Sequence, residues 1–162
     1  MSATMNNPIY ILRHAKAEDH TTPSADFSRK LTSHGISQAQ KIAKFIRAKE
    51  FHILQMYSSE LTRAVQTAHQ LSNSLELDTA TRVPWLNIYS DTDLAVKNIL
   101  QISQTKPSIF VGHNPYLTDI VAKIIGAPHG SIRVRKASLI ILTYHDESEK
   151  YRIDTVIHES LI

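Results

Sequence analysis

The residues best suited to chemistry in this sequence stand just after short apolar runs. Arg13 and His14 directly follow the run Ile9–Leu12, His113 follows a second such run, and Arg63 comes shortly after a third. An arginine guanidinium presents a planar fork of donors that matches phosphate oxygens. A neutral imidazole is a competent nucleophile near neutral pH. These four side chains therefore favour a site that handles a phosphoryl group.

Short apolar runs and a terminal hairpin signal predict the strands that would position these residues. In chain order the predicted strands are Ile9–Leu12, Phe51–Ser58, a weak one within Leu75–Thr81, Ser108–Gly112, Ser138–Tyr144 and Tyr151–Ile157. The first is continuously apolar, which is typical of a strand that is buried on both faces. The last two are joined by a polar turn, and this pattern predicts an antiparallel pair.

Helices are predicted between the strands from apolar residues at helical spacing. In the first helix, Ile36 and Ile42 share the apolar face. The predicted starting points are Thr32 or Ser33, Ser59, Asp91 or Thr92, and Pro115. This alternation predicts a three-layer α/β/α sandwich, with a mostly parallel central sheet and at least one antiparallel strand. We expect a single domain over residues 1–162.

The predicted topology brings the candidate residues to one place. In an open α/β sheet, ligands bind beyond the carboxyl ends of the strands, where Arg13, His14, Arg63 and His113 are expected. Each of these residues taken alone would most often have a structural role. Together they would repel one another unless an anion lay between them. Helix N-termini near the same edge would add backbone N–H donors, so we predict a phosphate site there.

Composition excludes several other kinds of chemistry. The sequence has no cysteine, which excludes disulfide scaffolds, thiolate zinc sites, iron–sulfur clusters and cysteine-nucleophile enzymes. With four glycines, it has neither a Walker loop nor a dinucleotide-binding glycine pattern. The nine histidines include no pair at i and i+4 with an intervening glutamate, and no carboxylate cluster accompanies them. We therefore predict neither a metal nor a cofactor.

Charge and hydropathy narrow the expected partners. The formal net charge is +3, and the basic residues are scattered along the chain. This pattern fits an anionic substrate or an acidic protein better than a nucleic acid. The apolar runs are too short for a signal peptide or a membrane span. We expect a cytoplasmic protein with no nucleic-acid and no membrane partner.

Four segments of the sequence resemble the histidine phosphatase superfamily, and within it the small SixA-type phosphohistidine phosphatases. In the order of that family they are Ile9–Ala17, Asp26–Gly35, Ser58–Ala68 and Val111–Pro115. The pair Arg13-His14 is a weak motif alone, but four such segments in order at strand ends are highly specific. The resemblance implies a phosphoglycerate mutase-like fold.

The resemblance also implies roles for individual residues. His14 would be the nucleophile that forms a phosphohistidine intermediate. Arg13 and Arg63 would clamp the phosphoryl oxygens, and His113 would hydrogen-bond the phosphoryl group and stabilise the transition state. Similar proteins of this type use no metal. Two further residues are predicted to bind substrate, Arg29 and Asn114.

The sequence departs from the best-known pattern of the superfamily in two places. Ala15 stands where a glycine usually follows the first Arg-His pair, and SixA-like members often have alanine there. Many larger members carry a general-acid glutamate after the third strand, but the corresponding segment here, Pro84–Asp91, has none. The nearest carboxylates that could serve instead are Asp91, Asp93, Glu18 and Asp19.

The missing glutamate bears on the substrate. A phosphomonoester leaves as an alkoxide and benefits greatly from protonation by a general acid. A phosphoramidate has a weaker bond and can leave as neutral imidazole once it is protonated. We therefore predict a metal-independent phosphatase that acts on protein phosphohistidine through His14. The alternatives are a small-molecule phosphomonoesterase of the same fold and a phosphate-binding module without turnover.

Overall fold

The strands form one mixed sheet in a computed structural model of the chain, which describes residues 6–19 and 22–162. Within these residues there are six strands: β1 (Ile9–Arg13), β2 (Gln55–Ser58), β3 (Thr81–Arg82), β4 (Ser108–Gly112), β5 (Ser138–His145) and β6 (Lys150–His158). Their order across the sheet is β3-β2-β4-β1-β5-β6. The first four in this order pair in parallel, while β5 runs antiparallel to both β1 and β6. The predicted sheet with its antiparallel hairpin is confirmed.

Helices cover both faces of the sheet. Those of the described residues are α1 (Ser33–Ala48), α2 (Thr62–Leu75), α3 (Thr92–Ser103) and α4 (Tyr116–Ile125). Tyr10 and Leu12 pack in the core shared with α1 and α2, whereas Ile9 and Ile11 pack in the core shared with α3 and α4. Successive side chains of a strand point to opposite faces. Because both faces are covered, β1 is apolar at each of these positions, and the three-layer architecture is confirmed.

Several predicted helix boundaries agree with the structure for local reasons. The hydroxyl of Thr32 accepts a hydrogen bond from the backbone N–H of Gly35 at 3.0 Å, which caps α1. The Asp91 carboxylate accepts from the backbone N–H of Asp93 at 2.8 Å and caps α3. Gly126 ends α4 with a φ of 73°, a left-handed conformation that glycine adopts without a steric cost.

Other boundaries were predicted wrongly. Strand β2 begins at Gln55 rather than Phe51, and the short β3 overlaps the predicted Leu75–Thr81 at a single residue. Helix α2 begins at Thr62 rather than Ser59. The Ser59 hydroxyl accepts from the backbone N–H of Leu61 at 3.2 Å before the helix begins, and it also contacts His113 and Asn87. Ile36 is 37% exposed, so it lies outside the buried stripe of α1.

Among the described residues, no helix combines the length and the apolar character that a membrane span requires.

Candidate active site

The carboxyl ends of the central parallel strands open into a cleft of about 490 Å³. Its walls include the six residues predicted from the sequence, namely Arg13, His14, Arg29, Arg63, His113 and Asn114. They come from the ends of β1 and β4, the loop after β1 and the first turn of α2. The parallel pairing of β1 with β4 explains the convergence, since it sets Arg13 opposite Gly112 and so places His14 beside His113.

His14 is held as a neutral imidazole with a defined proton position. Its backbone N–H extends the pairing with β4 by donating to the Gly112 carbonyl at 2.9 Å. Its Nδ1 lies 2.7 Å from the carbonyl oxygen of Ala15. A carbonyl can only accept, so Nδ1 carries the proton and Nε2 carries a lone pair. Burial lowers the pKa of His14 to about 3, and the nearby positive charges of Arg63 and Arg13 act in the same direction.

The Nε2 lone pair of His14 faces Arg63. The Arg63 Nε donates to it at 3.3 Å, and the rest of the guanidinium is fixed by Asp26. Nη1 donates to the Asp26 backbone carbonyl at 2.7 Å, and Nη2 donates to the Asp26 carboxylate at 3.2 Å. Arg63 is only 3% exposed. The guanidinium is therefore oriented beside the nucleophilic nitrogen before any ligand arrives.

The Asp26 carboxylate joins two arginines of the cleft. Its Oδ1 accepts from the Arg29 Nε at 2.8 Å, while its Oδ2 accepts from Arg63. Burial would raise the pKa of Asp26, but the hydrogen bond and positive charge of Arg29 and the charge of Arg63 outweigh it, and the pKa is lowered. Arg29 also donates from Nη1 to the carbonyl of Glu18 at 2.8 Å. An ionised Asp26 thus supplies part of the negative charge that the clustered cations require.

Arg13 and Asn114 donate hydrogen bonds to the same backbone carbonyl group. The Arg13 Nη1 and the Asn114 Nδ2 both donate to the carbonyl of Val134, at 2.9 and 3.1 Å. The Nε of Arg13 and the Oδ1 of Asn114 are buried without a hydrogen-bond partner among the described residues. Buried polar atoms are rarely left unpaired, which makes these two atoms candidates for a ligand contact. Burial also lowers the pKa of Arg13.

His113 is the most deeply buried of the titratable residues that line the cleft, with 1% exposure. Its ring centroid lies 5.0 Å from that of His14. Its Nε2 is 2.7 Å from the hydroxyl of Ser59, which in turn lies 2.9 Å from Oδ1 of Asn87. Burial lowers the pKa of His113 to about 2, and the protonation of His14 at a higher pH and the charge of Arg63 lower it further. This ring is therefore neutral near neutral pH.

Three charged residues of the cleft were not predicted as site residues from the sequence. They are Asp26, Lys136 and Asp119, and all three line the cleft. Burial lowers the pKa of Lys136, as do the charges of Arg13 and Arg29. The segment before β5 reaches the cleft because the backbone N–H of Ala137 lies 3.1 Å from the carbonyl oxygens of Arg13 and His14. No sequence motif marks Lys136, since its position depends on the antiparallel pairing of β5 with β1.

Most carboxylates proposed to replace the missing glutamate lie outside the cleft lining. Asp91 caps α3, and Asp93 forms an ion pair with Lys123 at 2.6 Å. The Glu18 carboxylate accepts from the backbone N–H of Lys30 at 3.1 Å. The carboxylates that do line the cleft are Asp19, Asp26 and Asp119. Of the four candidates from the sequence, the structure therefore places Asp19 alone in the cleft lining.

A cluster of three or more histidine, aspartate or glutamate side chains able to hold a metal ion does not occur within residues 6–19 and 22–162.

The sequence of the first half of the chain matches a known family. Residues 9–87 match the model of the histidine phosphatase superfamily, branch 1. Over these residues the chain is similar to the histidine phosphatase superfamily. The matched region contains His14 and Arg63, while His113 lies beyond it and reaches the cleft through the β1–β4 pairing. No curated protein matches the chain by sequence.

Solved structures of superfamily proteins share the fold along almost the whole chain. The protein histidine phosphatase SixA, solved with tungstate, is 22% identical, with a TM-score of 0.83 over 95% of this chain and 98% of that one. A SixA-type protein from Agrobacterium tumefaciens is 20% identical, with a TM-score of 0.80 over 94% and 98%. The α-ribazole phosphatase from Shigella flexneri is 14% identical, with a TM-score of 0.76 over 94% and 96%. At these identities the likeness establishes the fold.

Proposed function

We propose that this protein is a histidine phosphatase that hydrolyses phosphohistidine carried by a protein, through a covalent phosphohistidine intermediate on His14. The observation that carries the proposal is the protonation state of His14. Its Nδ1 proton is bonded to the carbonyl of Ala15, and its Nε2 lone pair faces the guanidinium of Arg63. A phosphoryl group drawn to that guanidinium would meet a nucleophile that needs no deprotonation.

In the first step, Nε2 of His14 attacks phosphorus while Arg13 and Arg63 hold the phosphoryl oxygens. The new P–N bond forms as the P–N bond to the substrate histidine breaks. The substrate ring leaves as neutral imidazole if its second nitrogen already carries a proton. The guanidinium held by Asp26 is oriented in advance, which favours catalysis because no reorganisation is needed during the reaction.

In the second step, water attacks phosphorus and the P–N bond to His14 breaks. His14 leaves as a neutral imidazole because Nδ1 keeps its proton on the carbonyl of Ala15. The product dihydrogen phosphate retains both protons of the water. Nucleophile and leaving group are the same chemical group in the first step, so neither step requires a strong general acid. A site without a strong general acid therefore favours phosphohistidine over a phosphomonoester, because the alkoxide that leaves from an ester must be protonated.

The roles of Arg29 and Asn114 as substrate-binding residues belong to the same proposal. Arg29 lines the cleft, but Asp26 and the Glu18 carbonyl already accept hydrogen bonds from its guanidinium. We therefore assign Arg29 a contribution through charge and through the orientation of Asp26. Asn114 offers a buried Oδ1 without a partner among the described residues, which can accept from a protonated phosphoryl oxygen.

The direct test replaces His14 with alanine and follows the release of phosphate from a protein domain that carries phosphohistidine. We expect turnover by the parent protein, no change with EDTA, and a loss of at least about a thousandfold in His14→Ala. Acid-labile phosphate should be trapped on the parent protein in a single turnover, and not on the variant. His34→Ala serves as the matched control, because His34 is an exposed histidine of α1. Full activity in His14→Ala would refute the mechanism.

A small-molecule phosphomonoester is the second candidate substrate. The observation that favours it is the presence of Asp19 and Asp119 in the cleft lining, where either carboxyl group could protonate an alkoxide. Parallel assays with phosphohistidine, sugar phosphates and nucleotides separate the two candidates. A sugar phosphate hydrolysed at least about a hundredfold more efficiently than phosphohistidine would select the ester. Phosphate binding with no product released from any substrate would indicate a binding module instead.

A cytoplasmic location and a single domain over residues 1–162 complete the proposal. Cell fractionation tests the first of these. Limited proteolysis tests the second, because one domain should yield one resistant core.

A further inference from the structure

A chain of hydrogen bonds lies behind His113, and none of its other members has a role in the function proposed above. Ser59 is fully buried, and its hydroxyl oxygen lies 2.7 Å from Nε2 of His113 and 2.9 Å from Oδ1 of Asn87. The Asn87 side chain is held in turn by Glu60. Its Nδ2 donates to the Glu60 carboxylate at 2.8 Å, and its Oδ1 accepts from the Glu60 backbone N–H at 2.9 Å.

These contacts determine which atom carries each proton. A carboxylate accepts and a backbone N–H donates, so Glu60 fixes both ends of the Asn87 amide. Oδ1 of Asn87 can only accept, and the hydroxyl of Ser59 must therefore be the donor in their contact. That hydroxyl has one proton, which leaves only its oxygen for His113. The 2.7 Å contact then requires that Nε2 of His113 carry a proton and donate it to Ser59.

The remaining nitrogen of His113 is consequently an acceptor. In the neutral ring, a proton on Nε2 leaves a lone pair on Nδ1. Nδ1 is buried and has no hydrogen-bond partner among the described residues. A phosphoryl dianion has acceptor oxygens alone, so it cannot hydrogen-bond to this lone pair. His113 can contact such an oxygen through Nδ1 only after a proton has been added.

We propose that Ser59, oriented by Asn87 and Glu60, is a positioning residue that fixes His113 as the Nε2–H tautomer. As a result, His113 takes up one proton at Nδ1 when a phosphoryl dianion enters the cleft. The proton comes from solvent, and the product of the step is an imidazolium that donates to a phosphoryl oxygen. The inference rests on the proposed function only in requiring that the cleft bind a phosphoryl group.

The charges around His113 explain why the proton arrives with the ligand. The groups whose positive charge lowers its pKa near neutral pH are Arg63, Arg29 and Arg13. They lie on α2, in the loop after β1 and on β1, so positive charge approaches the ring from several elements. The carboxylates in the same cleft lining are Asp19, Asp26 and Asp119. A bound dianion adds opposite charge next to the ring and stabilises its protonated form.

The tautomer can be read directly from the ¹⁵N shifts of the His113 ring in long-range ¹H–¹⁵N spectra. We expect a protonated Nε2 and an unprotonated Nδ1 in the parent protein. In Asn87→Ala the Ser59 hydroxyl is released and can donate to Nε2, so we expect the proton to move to Nδ1. Ser59→Ala removes the acceptor of the Nε2 proton, so in that variant the proton should no longer be confined to Nε2. The matched control is Ser58→Ala, since Ser58 is equally buried but its hydroxyl has no partner among the described residues.

Proton uptake is measured by calorimetry of sulfate binding in buffers that differ in ionisation enthalpy, because the sulfate dianion, unlike hydrogen phosphate, has no proton to donate to Nδ1. At about pH 6, where His113 is neutral without a bound anion, the parent protein and Ser58→Ala should take up about one proton per sulfate bound. Asn87→Ala should take up clearly less, because its neutral His113 already offers an Nδ1–H donor. Asn87 is only half-buried, so this variant tests the proposal even if Ser59→Ala does not fold.

Two results would overturn the inference. One is an Nδ1–H tautomer in the parent protein, and the other is unchanged proton uptake in Asn87→Ala. Both readouts use the free protein or sulfate. They therefore do not depend on whether phosphohistidine is the substrate, and failure of the proposed function would be seen separately in the turnover assay.

Discussion

Acidification between about pH 7 and pH 5 should destabilise this fold mainly through His14 and His113. Burial lowers their pKa values from 6.5 to about 3 and about 2. In the unfolded chain both rings take up a proton near their ordinary pKa, whereas the folded protein excludes it. The stability that comes from these rings is therefore present above pH 6.5 and is lost as the pH falls toward the folded values.

The magnitude follows from the gap between the unfolded pKa and the pH. At about pH 5 the unfolded chain is favoured by about 2 kcal/mol for each ring, or about 4 kcal/mol for both. This figure depends on the unfolded pKa and hardly at all on how far below 4 the folded values lie. A loss of that size is a large share of the 5–15 kcal/mol by which domains are typically stable.

Urea unfolding at several pH values between 7 and 5 measures the effect as a change in the free energy of unfolding. His14→Gln and His113→Gln should each reduce the pH-dependent loss by about half, whatever their effect at pH 7. His34→Gln should keep the full dependence, because His34 is exposed. If the two buried-site variants and the parent protein show the same dependence on pH, the two rings are not the source and the reasoning is wrong.

Three further predictions concern the cleft and the backbone. Asp26→Asn replaces the carboxylate that accepts from Arg29 and Arg63 with a neutral amide, so both guanidinium groups should be held less firmly. We expect kcat/KM for a phosphohistidine-bearing protein to fall by about 10- to 100-fold. The control Asp78→Asn, at an exposed position, should leave it unchanged. Lys136→Met should weaken inorganic phosphate binding by about tenfold in a titration, because it removes a positive charge from the cleft, and unchanged affinity would count against a role for this lysine. Gly35→Ala would place a Cβ against the backbone carbonyl oxygen of Lys16 and should lower the free energy of unfolding in urea by at least about 3 kcal/mol. Gly126→Ala should lower it by about 1 kcal/mol, because the cost there is the φ of 73° alone.

Local sequence signals predicted the elements that depend on nearby residues. The apolar run at β1, the Thr32 cap, the Asp91 cap and the glycine after α4 all act within a few residues of one another. Their physical causes are side-chain burial, satisfaction of the first helical N–H groups, and freedom to adopt a positive φ. For this reason, the alternation of strands and helices could be predicted without any tertiary information.

The errors occurred where a distant contact outweighs a local preference. Ser59 has the composition of a helix N-cap, yet its hydroxyl also contacts His113 and Asn87. Helix α2 begins three residues later, at Thr62. Ile36 has helical spacing with the buried residues of α1 but remains partly exposed at the start of that helix.

The sequence by itself determined the chemistry available to the site. It placed Arg13, His14, Arg63 and His113 after strands or at a helix start, and the rule that parallel strands end at one edge brought them together. It also excluded thiol chemistry through the absence of cysteine. These conclusions depend on residue type and on the order of the elements, both of which are written along the chain.

Only the tertiary structure decided the proton positions, the orientations and the pKa values of those residues. The proton position of His14 depends on one carbonyl, the orientation of Arg63 depends on Asp26, and the tautomer inferred for His113 depends on Ser59 and its neighbours. The pKa values of the two rings depend on burial, which is a property of the packed core around them. Hydrogen-bond direction and desolvation are set at distances of a few ångströms between segments far apart in sequence, so no local pattern can carry them.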